Sequence, residues 1–147
     1  MRIEELSSLT EQNEEDIILL MKELNSEIQV TTQMLRNSVE SPNSHFFALI
    51  DNSHIIGCAS LGVYDSPTGS KAHVEDVVVL SSYRGQHLGK RLMEHVIDYA
   101  CRELKTVDLY LTSRPQRVAA NELYKTLGFR PKDTNCYKME IRPCANE

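Results

Sequence analysis

The sequence predicts an α+β fold. Three observations carry that expectation. Residues 74–80, Val-Glu-Asp-Val-Val-Val-Leu, are short and β-branched, the composition of a strand with little solvent on either face. Leu88, Leu92, Val96, Ala100 and Leu104 then recur every four residues, with Met93 and Ile97 beside them, which is the apolar stripe of an amphipathic helix. Between the two lies a turn carrying Gly85 and Gly89, flanked by Arg84, Lys90 and Arg91. A strand that runs through such a turn into a helix exposes backbone N–H groups and the positive end of the helix dipole, a setting that suits phosphate.

The elements follow in order. Ile3 and Leu6 alternate weakly as a first edge strand. Thr10 or Asn13 caps a helix whose first turn holds Glu14, Glu15 and Asp16 and whose buried stripe is Ile17, Leu20, Met21 and Leu24. Asn25 and Ser26 close it, and a second helix covers residues 32–39 with Met34 and Leu35 inward, before the Ser41-Pro42-Asn43 break. Residues 46–50 form a strand, Asp51-Asn52-Ser53 a tight turn, and residues 55–64 the returning strand, where Gly57 and Gly62 suggest a bulge or a close backbone approach. Residues 65–71 read as a loop and residues 72–80 as the next strand. After the long helix, residues 107–112 alternate as a strand that Ser113-Arg114-Pro115 stops. Residues 117–127 form a short helix with Val118, Leu123 and Leu127 on one side, closed by Gly128. Phe129 and residues 136–141 supply final strand material around a turn at 132–135.

Composition narrows the function. A chain of 147 residues that is 41% hydrophobic reads as a single domain, residues 1–147, with a sizeable core. Its net charge of −5 and the absence of a basic stripe argue against a nucleic-acid binder, while the local basic residues Arg84, Lys90, Arg91, Arg114 and Arg117 suit a small anionic ligand. Cys58, Cys101, Cys136 and Cys144 are widely spaced, which predicts free thiols in a reducing compartment and no metal, with Cys58 and Cys101 in the core. His45, His54 and His95 read as surface residues. With neither a signal-like apolar run nor a membrane-length stretch, a cytoplasmic protein without a membrane partner is expected.

Arg84-Gly85-Gln86-His87-Leu88-Gly89 resembles the pyrophosphate loop of the GNAT superfamily of N-acetyltransferases, [Gln/Arg]-x-x-Gly-x-[Gly/Ala], with His87 where the family usually has its middle glycine. Residues 119–129, with Leu123-Tyr124 and Gly128-Phe129, resemble the same family's Ala…Leu-Tyr-x-x-x-Gly-Phe signature. The resemblance covers roughly residues 72–141, and more loosely the whole chain; the predicted element order is that of the GNAT acyl-CoA N-acyltransferase fold, which implies an α/β three-layer arrangement with a central, mostly antiparallel mixed sheet flanked by about four helices. The family's asparagine seven residues before the tyrosine is Arg117 here, while Asn121 stands three before it.

The resemblance implies an acetyl-CoA-dependent N-acetyltransferase that moves an acetyl group to a primary amine of a small molecule by direct transfer in a ternary complex. Acetyl-CoA would be the co-substrate, held by Val77, Val78, Val79, Arg84, Gly85, Gln86, His87, Leu88, Gly89, Lys90 and Asn121. Tyr124 would protonate the leaving thiolate, since a phenol is neutral at pH 7 and its pKa is close to that of a thiol. His73 or Glu75 would take the ammonium proton, unless the amine arrives deprotonated. Simple alternation puts His73, Glu75 and Val77 on one strand face and Asp76 on the other. Two other readings stay open: a protein or peptide N-acetyltransferase, and a non-catalytic acyl-CoA-binding module. The Glu-Asp-Val-Val-Val strand also resembles that of glucosamine-phosphate acetyltransferases. Many small members of the superfamily form homodimers, some through the last strands, which makes residues 136–141 a candidate edge.

Overall fold

The computed structural model describes residues 1–144. Residues Met1–Arg114 form one compact unit, and the chain from Pro115 onward forms a second. In chain order the first unit holds β1 (Arg2–Leu6), α1 (Glu11–Leu24), α2 (Thr32–Glu40), β2 (Ser44–Asp51), β3 (His54–Ser66), β4 (Gly69–Val79), a 3-10 turn (Ser81–Tyr83), α3 (Leu88–Tyr99) with a π-helical extension (Ala100–Leu104), and β5 (Asp108–Tyr110). The second unit holds α4 (Val118–Thr126). No helix among the described residues is long and apolar enough to cross a membrane.

The five strands lie in the order β1-β2-β3-β4-β5. The first three pairings are antiparallel and β4–β5 is parallel. Both faces of the sheet are covered. On one, Ile17, Leu20 and Met21 of α1 and Leu35 and Val39 of α2 pack with Phe46, Ala48, Ile50, Ile55, Cys58 and Val78. On the other, the Phe47 ring meets His95 and Tyr99 of α3 edge-on at 5.2 and 5.0 Å. Each fully buried aliphatic or aromatic side chain in these layers stabilises the fold by roughly 1.5–3 kcal/mol. Gly57 of β3 is crowded by both β4 and α3: a Cβ there would sit 3.0 Å from the Val78 carbonyl oxygen and 3.3 Å from Leu92.

Local chemistry explains the boundaries. Thr10 caps α1 by accepting from Asn13 N–H, and the Asn13 side chain accepts from Thr10 N–H in return, so the two candidate caps form one capping box. Asp16 is buried, and its carboxylate accepts from Ile55 N–H at 2.8 Å and Gln12 Nε2 at 3.0 Å, with His54 Nδ1 at 3.2 Å. It ties α1 to the β2–β3 hairpin, whose two turn residues, Asn52 and Ser53, both adopt positive φ.

Several expectations require correction. Residues 136–141 form no strand: Tyr137, Met139 and Ile141 alternate as strand residues do, yet all are exposed and no neighbouring strand pairs with them among the described residues. Phe129 is not in a strand either, and its ring lies edge-on to Tyr124. The loop expected at 65–71 is shorter, because the β3–β4 ladder runs out to Ser66 and Gly69. Met34 and Val118 are exposed, not inward. Cys101 is exposed: it continues the row from buried Met93 through partly buried Ile97, at the edge of the stripe that faces the core. His45 and His95 are partly buried; His45 Nδ1 lies 2.6 Å from Glu5 and 3.0 Å from the Tyr99 hydroxyl.

Candidate active site

The site is built where β5 ends beside β4, which continues along β3 to Val79. The parallel β4–β5 pairing covers only Lys71–Asp108, Ala72–Leu109 and His73–Tyr110. Beyond His73, the β5-facing edge of β4 has no strand beside it among the described residues. Leu80 N–H donates to the Ile56 carbonyl at 2.9 Å, so strand alternation directs the backbone groups of Val79, the residue before it, toward that open edge. Among the described residues no strand takes up hydrogen bonds at this gap in the sheet. An extended ligand can take the place of the missing strand.

A β-bulge sits inside this stretch. Glu75 pairs with Ser60 and Val78 with Cys58, so Asp76 and Val77 together oppose one residue, and Asp76 adopts φ 52°. The extra residue breaks simple alternation. Val78, not Val77, follows Glu75 onto the α1/α2 face, where it is buried in the core. Burial raises the Asp76 carboxyl above its ordinary range. His73 and Glu75 precede the bulge and share a face as expected, Glu75 exposed and His73 partly buried.

From Val79 the chain turns once through the 3-10 segment and enters α3 at Leu88. Gly85 has φ 79°, a conformation that glycine adopts without strain. His87 is the N-cap of α3 in the left-handed conformation, φ 56° and ψ 23°, with its side chain exposed. The backbone shape that a glycine would favour is therefore present, with an imidazole turned to solvent. The first intrahelical bond runs from Arg91 N–H to the His87 carbonyl at 3.1 Å, which leaves the N–H groups of Leu88, Gly89 and Lys90 without helical partners. No side chain caps them, and the first turn holds no acid. An anion with several oxygens, such as a diphosphate, fits that end.

The loop's basic residues are already engaged. Arg84 pairs with Glu23 of α1 at 3.3 Å, and Glu23 also accepts from the Ser81 hydroxyl at 2.8 Å. Lys90 pairs with Glu94 along α3 at 3.6 Å. Gln86 is exposed, and Leu88 is buried as an anchor for the helix. Glu23 was not singled out from sequence, since a lone acid on a helix gives no signal of what it will meet.

In the second unit, Tyr124 is the buried residue of α4. Burial raises its hydroxyl above the ordinary phenol range, against a smaller lowering by Arg117, so it stays protonated at neutral pH. Asn121 lies one turn before it on the same helix, partly buried. Among the described residues no cluster of His, Cys, Asp or Glu is arranged to hold a metal.

The acetyltransferase (GNAT) family matches residues 9–129. The chain belongs to that family. Among curated proteins, this GNAT chain is 29% identical over 63% of its length to a Bacillus subtilis protein provisionally named as a ribosomal protein bS18-alanine N-acetyltransferase. It is 26% identical over 61% of its length to the N-alpha-acetyltransferase RimI of Mycobacterium tuberculosis. The alignments cover 58% and 54% of those two relatives. Among solved structures, an aminoglycoside acetyltransferase from an uncultured soil metagenomic sample superposes with a TM-score of 0.82 at 14% identity, over 96% of each chain. At that identity the likeness shows the fold alone: an α+β GNAT fold.

Proposed function

We propose that the chain is an acetyl-CoA-dependent N-acetyltransferase that passes the acetyl group directly to a primary amine. The observation that carries this reading is the parting of β4 from β5 beyond His73, followed in the chain by the uncapped N-terminus of α3. The family match runs across the division at Arg114, which supports reading both units as one acetyltransferase domain.

Pantetheine would lie along the open edge of β4, hydrogen-bonded to the backbone of Val77 and Val79, with Val78 holding that edge against the core. N–H groups from Gly85 to Lys90 would receive the diphosphate. Backbone donors aimed at the thioester oxygen stabilise the charge that develops there in the tetrahedral transition state. The amine attacks the carbonyl carbon, the C–N bond forms and the C–S bond breaks. The proton lost from nitrogen passes to Glu75 or His73, directly or through water, and Tyr124 gives its proton to the thiolate. Asn121 would contact the cofactor one turn before Tyr124. Tyr124's raised pKa supports its role, because an acid must hold its proton until the thiolate forms.

For the acceptor, the curated relatives' names favour the α-amine of a peptide N-terminus over the small-molecule amine expected from sequence. Thiol release should be measured with amino sugars, polyamines, amino acids and short peptides for wild type and Tyr124→Phe. The proposal expects turnover with at least one amine and a kcat about 100-fold lower in the variant, with acetyl-CoA binding retained. Equal turnover in the variant would remove Tyr124 from the mechanism. Cofactor binding without turnover of any amine would leave a binding module.

A further inference from the structure

The face of the sheet that carries Glu75 also carries a row of aromatic rings outside the helical cover. Tyr64 of β3, His73 of β4 and Tyr110 of β5 stack across three neighbouring strands, at 6.0 Å and 27° for the first pair and 5.2 Å and 19° for the second. The register explains the row. His73 pairs with Tyr110 across the parallel ladder, and Tyr64 pairs with Lys71, one side-chain step along the same face. Opposite His73 on β3 stands Gly62, and a Cβ added there would meet nothing within 4 Å. The side-chain layer therefore has a notch: Gly62 is its floor, Tyr64 and His73 flank it, and Ser60 and Glu75 close its far end.

The exposed charges on the β4–β5 side of the notch have one sign, while Arg36 and Glu40 of α2 stand near Ser44 on the β2 side of Gly62. Glu75 and Asp108 lie on this face, both exposed, and neither has an ion-pair partner among the described residues. Lys71 shares the face, but its ammonium is turned into the β3–β4 turn, where it donates to Ser66 Oγ at 2.6 Å, Thr68 Oγ1 at 2.8 Å and the Gly69 carbonyl at 3.3 Å. What remains on the β4–β5 side, where the ring row runs, is aromatic and anionic. Such a surface favours a cation with an apolar or amide body.

Resting on the acetyltransferase reading, we infer that the notch at Gly62, with Tyr64, His73, Tyr110 and the Glu75 and Asp108 carboxylates, is the acceptor subsite and selects cationic peptide N-termini. The reactive amine lies at the Glu75 end, beside the bulge where the thioester is read to sit. The residues that follow it run over the ring row toward Asp108. The stack also fixes the imidazole of His73 between two phenol rings, so that its edge, and not its face, meets the acceptor.

Gly62 supplies a clean test, because its φ is not in the left-handed region and the space above it is empty: a valine fits the strand and fills the notch. The protein, isotopically labelled and saturated with CoA, is titrated with Ala-initiated tripeptides bearing Lys, Gln or Glu at the second and third positions. The Gly62 amide resonance of the wild type should shift with the basic peptide, which should bind on the order of tenfold tighter than the acidic one, given two exposed carboxylates. Gly62→Val and, separately, Tyr64→Ala should abolish or weaken peptide binding while CoA affinity is unchanged. A basic peptide that binds Gly62→Val as well as wild type, or no preference between basic and acidic peptides, would overturn the assignment. Failure of the wild type to bind CoA at all would instead remove the acetyltransferase reading beneath it.

Discussion

Replacing His87 by glycine should stabilise the protein. His87 is a non-glycine residue at φ 56° and ψ 23°, with no side-chain hydrogen bond across the N-terminus of α3. An L-residue in that conformation costs roughly 1–2 kcal/mol, through the contact of its Cβ with the following carbonyl. Glycine removes the contact but gives the unfolded chain more freedom, which offsets about 0.5–1 kcal/mol. The net expectation is a gain of about 0.5–1 kcal/mol, or a Tm about 2 °C higher for a chain of this size. His87→Ala is the control, since it removes the imidazole and keeps the Cβ. Urea and thermal denaturation of wild type, His87→Gly and His87→Ala should then place glycine alone above wild type. If both variants lose stability equally, the imidazole contributes through a contact and the strain argument is wrong.

Two further perturbations probe the core. Asp16→Ala leaves the Ile55 N–H without its buried acceptor and should cost about 2–3 kcal/mol in urea unfolding, whereas a loss below about 0.5 kcal/mol would show that water replaces the carboxylate. Cys58 is buried and its thiol pKa is raised, first by burial and then by Asp76, while Cys101, Cys136 and Cys144 are exposed. Native alkylation read by mass spectrometry should therefore modify the exposed thiols and spare Cys58 until denaturant is added. Because the folded pKa of Cys58 lies above the unfolded one, stability is unaffected below about pH 8.5 and should fall above it by up to ~1.4 kcal/mol per pH unit. Cys58→Ala should flatten that decline.

Periodicity made the helices and the first four strands legible, because α1, α2 and α3 each bury one stripe and the hairpins carry turn residues. The bulge at Asp76–Val77 was hidden for a physical reason. Val77, Val78 and Val79 are all apolar, so a one-residue slip leaves no trace in a period-2 pattern. The alternation of Tyr137, Met139 and Ile141 misled in the opposite way: it states what a strand would need, and only a paired neighbour makes one. Candidate site residues were legible where a motif fixes a backbone shape, as at Gly85 and His87. They were not where the role depends on residues distant in sequence, as for Glu23 beneath Arg84 or Gly62 opposite His73. The acceptor face could be read only once register was known.

Calorimetric titration asks whether the uncapped start of α3 and the open edge of β4 together bind acetyl-CoA. CoA and pantetheine should be titrated separately into the wild-type protein. CoA should bind in the micromolar range, and pantetheine more weakly by about two orders of magnitude for want of the diphosphate. Absence of CoA binding, or equal affinity for the two ligands, would contradict that reading.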